Sequence, residues 1–298
     1  MNQSNSPGLR DWLILVGLSL VWGTSYILIK WGLEVFEAQQ IGQLRLGISA
    51  VFVAPFALRY MFKLKRKTLF TLLAVGLTGT ALPSFLFPAA QRHLSSSVAG
   101  IFSSLTPLVT FLMAWLIFRS GASKKQGIGI AIGLAGAIIL ATAGGGDSAG
   151  QNAPLQLTYV LLILLACTCY ATSSNLVANY LKDMPSLRIT AISFFMVGFP
   201  ALVYSLTAGG VLQTMQDHPR AWEGLSYVAF LAIFGTVLAS LLFFWLVQRT
   251  GSVFASTVSY LVPAVALGWG FFDGEFIGLP QVAAFLLILC GVFLTKRN

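Results

Sequence analysis

A nine-residue pattern occurs twice in this chain. Ala99-x-x-x-Ser103-x-Leu105-x-Pro107 returns as Ala255-x-x-x-Ser259-x-Leu261-x-Pro263. The likeness extends on both sides. Gln91-Arg92 precedes the first copy and Gln248-Arg249 the second, while Gln126 and Gly136 stand at the same separation as Gln281 and Gly291. A hydrophobic chain that repeats itself at about half its length has few architectures open to it. Duplication of this kind is the common sequence sign of a membrane carrier with its site between the halves.

Composition excludes the soluble alternatives. Of 298 residues, 57% are hydrophobic and 9% charged, against about 25% charged in a soluble domain. Mean hydropathy is +0.83. The net charge of +9 does not point to nucleic acid, because the basic residues sit between apolar runs instead of forming a stripe. Cys167, Cys169 and Cys290 all lie inside apolar runs and lack the companion ligands of a zinc site. No metal, cofactor or disulfide framework is implied.

Apolar runs long enough to cross a bilayer, about 17–25 residues each, read ten times: 12–33, 40–62, 69–91, 97–118, 127–143, 155–181, 187–208, 224–247, 252–272 and 277–295. The sequence thus predicts an all-α integral membrane protein of ten transmembrane helices. With the N-terminus in the cytoplasm, the inner side holds Arg10, Arg59, Lys63, Lys65, Arg66, Lys67, Arg119, Lys124, Lys125, Lys182, Arg188, Arg249, Lys296 and Arg297, and the outer side only Arg92 and Arg220. That imbalance places both termini in the cytoplasm. Five spans per half is an odd number, so the halves, 1–145 and 155–298, enter the membrane from opposite sides as inverted repeats. The Gly-rich linker 146–154 between them is then periplasmic.

The order and spacing of several segments resembles the drug/metabolite transporter superfamily, and within it the ten-span EamA-type carriers. The residues that carry the likeness are Trp22-Gly-Thr-Ser25 running to Lys30, Arg45 in span two, the two Ala-x-x-x-Ser-x-Leu-x-Pro segments, and Gly274-Glu275…Gln281…Gly291. The resemblance implies a carrier of small metabolites in the bacterial inner membrane, often an exporter of amino acids or their relatives. One departure is visible. Family members commonly carry Glu at the end of span four, as Glu275 stands near the end of span nine, and here that position is Ser120.

Ionisable groups are costly within a bilayer and call for a reason. All nine acids fall at span ends or in loops, so no carboxylate is expected at mid-depth to carry a proton. Lys30 lies roughly 27 Å along span one. It reads either as a snorkelling end partnered by Glu34, or as a contact for a substrate carboxylate. Arg45 holds its charge permanently and must find carbonyls, an acid or an anionic solute. Trp22 and Tyr170 occupy matching places in spans one and six. With Ser25, Asn175, Phe244 and Tyr260 they form the expected substrate-binding set, Arg45 lying toward the outer end. Pro107 and Pro263, at equivalent depths, are read either as hinges or as static kinks. The small-residue face Gly129-x-x-x-Gly133-x-x-x-Ala137 serves close helix packing, within a monomer or in a homodimer.

A channel, a receptor and a membrane-embedded enzyme are the competing classes. The chain shows no filter-like ring, no soluble sensing domain, and no mid-span cluster of Asp, Glu and His. Within transport, the rival is an exporter of drugs or cationic compounds. Aromatics without a carboxylate suit a zwitterion or neutral solute better than a permanent cation.

Overall fold

Chains this apolar satisfy their backbone polar groups by helix formation, because lipid offers them no partners. The computed structural model describes residues 8–118, 124–142 and 157–295. Ser120 and the 146–154 linker lie outside these residues. The described residues are helical throughout the expected spans. In the first half these are α1 (Leu9–Leu33), α2 (Ala38–Tyr60), α3 (Arg66–Gly76) and α4 (Leu82–Gln91) as one span, α5 (Ser96–Ser103) and α6 (Thr106–Phe118) as another, and α7 (Lys124–Thr142). The second half follows the same order, with one short surface helix added. It comprises α8 (Leu157–Tyr180), α9 (Ser186–Thr207), the added α10 (Val211–Asp217), α11 (Ala221–Phe230) and α12 (Ala239–Thr250), α13 (Ser252–Ser256) and α14 (Val262–Phe272), and α15 (Leu279–Thr295). Eight of these spans are long and apolar enough to cross a membrane, and Leu279–Gly291 adds a shorter apolar stretch.

Polarity is arranged for lipid. Large apolar side chains such as Phe70, Phe271, Phe272 and Leu279 are exposed, whereas Arg45, Gln43, Ser173, Ser174, Thr236 and many other hydroxyl-bearing residues are buried. Most serines and threonines bond their own helix, as Ser19 Oγ does to the Leu15 carbonyl at 2.8 Å and Thr250 Oγ1 to the Leu246 carbonyl at 2.8 Å.

Small residues let helices approach closely. A Cβ on Gly198 of α9 would overlap the Leu46 carbonyl of α2. The face predicted on span five is likewise filled from within the chain, since a Cβ on Gly291 of α15 would overlap the backbone of Gly129 and Gly133 in α7. At Gly129 and Gly133 the stripe therefore joins α7 to α15.

Spans four and nine are both broken. α5 stops at Ser103, the amide of Leu105 turns back to the Phe102 carbonyl at 3.1 Å, and α6 restarts at Thr106. Span nine winds as a 3-10 turn over Thr257–Tyr260 before α14 begins. Pro107 and Pro263 each fall at the second residue of the restarted helix. There the missing N–H is no loss, because a first turn has no intrahelical acceptor for it. The irregularity precedes each proline instead of being a kink centred on it.

Candidate functional site

Spans three and eight each contain a π-helical stretch, Leu77–Ala81 and Leu231–Leu238. The wider winding shifts carbonyls out of the usual ladder and leaves them to other donors. The indole Nε1 of Trp22 donates to the Gly235 carbonyl at 2.9 Å, and Thr236 Oγ1 donates to the Leu231 carbonyl at 2.9 Å. These stretches share a pattern that the sequence reading above did not use. Gly79-Thr80-x-x-x-Ser84-x-x-Phe87 returns as Gly235-Thr236-x-x-x-Ser240-x-x-Phe243. Close packing explains the glycines, since a Cβ on Gly79 would meet Ser173 Oγ at 2.5 Å and one on Gly235 would meet Ser25 Oγ at 3.0 Å. Each half thus presses its first span against the π stretch of the other.

A cavity opens where these elements meet. It offers about 80 Å³ to water centres, room for several waters or a small polar solute. One wall is an aromatic run: Tyr26 meets Phe87 edge-on at 5.6 Å, and Phe87 stacks on Tyr170 at 6.1 Å. Across from it Trp22 meets Phe243 at 5.2 Å, and Phe243 stands 6.1 Å from Phe244. Hydroxyls of Ser25, Ser103, Thr106, Ser173, Ser174, Ser240, Ser256 and Ser259 complete the lining, with the guanidinium of Arg45 and Thr236 beside it. Among the described residues, no acid lines the cavity.

Of the residues expected at the site, Trp22, Ser25, Arg45, Tyr170 and Phe244 line this one cavity. Asn175 does not. It is buried one turn beyond, where its Nδ2 donates to the Ala171 carbonyl at 2.9 Å and its Oδ1 accepts from Ser252 Oγ at 3.1 Å. Tyr260 ends the 3-10 turn and packs against the apolar core next to the cavity. Tyr26, Phe87 and Thr236 are lining residues the expected set lacked. The repeated Gly-Thr pattern was the available signal for Phe87 and Thr236, and Tyr26 had none beyond its position one turn past Trp22.

α1 passes the cavity and ends in a polar cluster on either side of it, Asp11 and Lys30 being roughly 28 Å apart along the helix. At the Lys30 end, the Glu275 carboxylate is buried. It accepts the backbone amides of Ser96 and Ser97, both at 3.0 Å, the two hydroxyls of the same residues at 2.7 and 2.5 Å, and Lys30 Nζ at 3.0 Å. Glu275 thereby caps the N-terminus of α5, where amides without intrahelical acceptors and the helix dipole both favour an anion. Lys30 also pairs with Asp273 at 2.8 Å, and Trp31 Nε1 donates to the same residue at 2.8 Å. The expected partner Glu34 is the residue that caps α1, and its side chain leaves toward Arg220, 2.9 Å away. Burial pushes the Glu275 pKa up, but hydrogen bonds from Ser97 and Ser96 and the Lys30 charge outweigh it and hold the group below its ordinary value. For Asp273, too, burial is outweighed by bonds from Lys30 and Trp31.

Among the described residues, the Asp11 end is lighter. Arg249 Nε donates to the buried Asp11 at 2.8 Å, and half-exposed Arg249 shares the Trp245 ring with Arg10. Gln248 Nε2 reaches the carbonyls of Leu181 and Met184 at 2.7 and 2.6 Å, much as Gln91 Nε2 reaches that of Tyr26 at 2.8 Å.

Broken helices, π stretches and a polar cavity set among apolar spans define a membrane transport protein. The profile of the EamA-like transporter family matches residues 11–142 and again 157–297, and the chain belongs to that family. Among relatives, the inner membrane transporter YedA of Escherichia coli (strain K12), itself uncharacterised, is 26% identical over 284 residues, covering 94% of this chain and 88% of YedA. The uncharacterised transporter YyaM of Bacillus subtilis is 24% identical, covering 95% of this chain and 92% of its own length. An S-adenosylmethionine/S-adenosylhomocysteine transporter of Chlamydia muridarum is 22% identical over 91% of this chain and 87% of its own. A solved crystal structure superposes with a TM-score of 0.65 at 17% identity, covering 96% of each chain, a likeness of fold.

Proposed function

We propose that this protein is a secondary carrier that exports or exchanges a small amino acid–like metabolite by alternating access. The observation that carries the reading is the cavity itself: it lies where the two halves meet, between a polar closure at each end of α1. In this reading the halves 1–145 and 155–298 are inverted repeats in the bacterial inner membrane, both termini are cytoplasmic, and the Glu275 closure faces the periplasm. The breaks before Pro107 and Pro263 are the hinges. Aromatic walls for an apolar part, many hydroxyls and one cation suit a solute of amino-acid type, and one relative is named an S-adenosylmethionine/S-adenosylhomocysteine transporter. A cationic drug is disfavoured, because the cavity offers such a guest a guanidinium and no carboxylate.

Without an acid in the lining, flux is driven by the solute's own gradient or by exchange. Proteoliposomes containing the purified protein should take up members of an amino-acid panel with no pH gradient or membrane potential imposed. Trp22→Ala removes both an aromatic wall and the bond to Gly235, and should slow that flux several-fold. Flux that stops without a proton gradient removes the uncoupled mechanism, and a panel in which nothing is carried removes the substrate class. A reporter fused after Asn298 should read cytoplasmic.

A further inference from the structure

Arg45 is buried in α2 with 6% of its surface exposed, and its Nε donates to Thr236 Oγ1 at 2.7 Å. No ion pair involves it among the described residues. Every acid in those residues stands elsewhere: Asp11 with Arg249, Glu34 and Glu223 with Arg220, Asp273 and Glu275 with Lys30, and Glu37, Asp183 and Asp217 at span ends. A guanidinium cannot shed its charge, and a buried charge without a counterion is strongly unfavourable. Yet Arg45 faces a cavity and not a packed core.

The duplication sharpens the point. Thr80, which matches Thr236 in the repeated pattern, is buried with an unpartnered hydroxyl, and no lysine or arginine occurs between Arg188 and Arg220 to serve it. The cavity therefore has a single cation on one side of an otherwise matched frame. We propose that Arg45 is the receptor for a carboxylate on the transported solute, the anion that completes this site. The inference rests on the carrier reading above and narrows its substrate to molecules with one carboxylate, zwitterions included. Nε is committed to Thr236 and the Tyr170 hydroxyl stands beside the guanidinium, so a carboxylate on the solute would meet the donors of the terminal nitrogens together with that hydroxyl. One cation matches one negative charge, so a phosphate dianion is a poorer fit. Phe87 and Tyr170 on one side, with Trp22 and Phe243 on the other, take the apolar remainder.

The test compares isosteres on purified full-length protein by thermal unfolding. Phenylacetate, phenylacetamide and phenethylamine share a ring and differ in the group offered to Arg45; L-phenylalanine and its amide repeat the comparison in a zwitterion. The carboxylates should bind and raise the melting temperature, with apparent affinities roughly tenfold to hundredfold above their amides, and the amine should give no shift. In Arg45→Gln that preference should vanish, while Arg45→Lys keeps part of it. Equal shifts from acid and amide in the unaltered protein overturn the proposal, as does an acid preference that survives Arg45→Gln. The first comparison needs no variant, so misfolding of Arg45→Gln cannot mask the answer. Carboxylate preference in binding without amino-acid flux in proteoliposomes would leave the anion site standing and remove the carrier reading's substrate class.

Discussion

The polar clusters at the two ends of α1 stand beside the matching N-termini of α5 and α13 in a duplicated fold, yet among the described residues they are built from unlike chemistry. At the Lys30 end one buried carboxylate gathers two amides, two hydroxyls and an ammonium, and so joins the end of α14 to α5 and α1. At the Asp11 end an equally buried carboxylate takes one guanidinium that is 40% exposed, and the N-terminus of α13 is met by the neutral Asn175 through Ser252. Backbone breaks, π stretches and the reaching glutamines are shared by both halves; among the described residues, the capping acid is not. The two halves share a backbone frame, while single side chains set the chemistry at each end of α1. Under the alternating-access mechanism proposed above, the carrier should rest with its Lys30 end shut, and the unequal clusters should bias which mouth opens first.

The largest effect should come from Glu275→Gln. The amide keeps the shape but removes the charge that faces Lys30 and the dipole of α5. It also brings two donors to a place already crowded with them. Losing charge-assisted bonds of this kind costs about 1.5–3 kcal/mol each before relaxation, and Lys30, partly exposed and still paired with Asp273, recovers some of it. A cysteine placed at Leu94 beside this closure, in a background lacking Cys290, should become readily labelled in Glu275→Gln and stay protected otherwise. Labelling that does not change would show that the closure is held by packing alone.

Acid should reach the same state gradually. The pKa of Glu275 is lowered in the folded protein relative to its ordinary value of 4.5. Its contribution is therefore complete above pH 4.5 and is lost as pH falls through the lowered folded value. Labelling at Leu94→Cys with a pH-insensitive reagent should rise only on the acid side of pH 4.5. A rise centred nearer neutrality would assign the closure to another group.

The duplication and the all-helical class were legible because bilayer thickness and lipid polarity leave so few solutions. Trp22, Tyr170 and Arg45 were legible for a related reason: polar or amphipathic groups at depth need a purpose. Glu275 was harder. Its position at a span end suggested solvent, and only the fold brings the α5 amides over it. Of the two readings of Lys30, the helical pairing with Glu34 fails because α1 ends at Leu33 and the chain turns away. Asn175 has the same hydrogen-bonding capacity as a cavity residue, but one further turn along α8 carries it to Ser252. Nothing in a linear pattern distinguishes those depths. The repeated Gly-Thr stretches show the opposite case, a signal present in the sequence whose meaning depended on knowing that both segments wind as π-helix.

The smaller effect is expected from Asp11→Asn, and its size decides whether the ends are unequal in energy as well as in composition. Asp11 accepts Arg249 on one oxygen and the Gly8 amide on the other, at 2.8 and 2.9 Å. Asparagine can keep only one of those bonds in good order and brings no negative charge. Arg10 and Arg249 then share the Trp245 ring without an anion between them. Solvent screening at the exposed guanidinium limits the loss to about 1 kcal/mol. A cysteine at Thr250 should therefore gain accessibility in Asp11→Asn by only a few-fold, less than Leu94→Cys gains in Glu275→Gln, and added salt should shrink the difference further. If the two substitutions expose their mouths equally, the single exposed ion pair closes its end as firmly as the buried carboxylate cluster closes the other. The resting bias toward a shut Lys30 end would then have no physical basis.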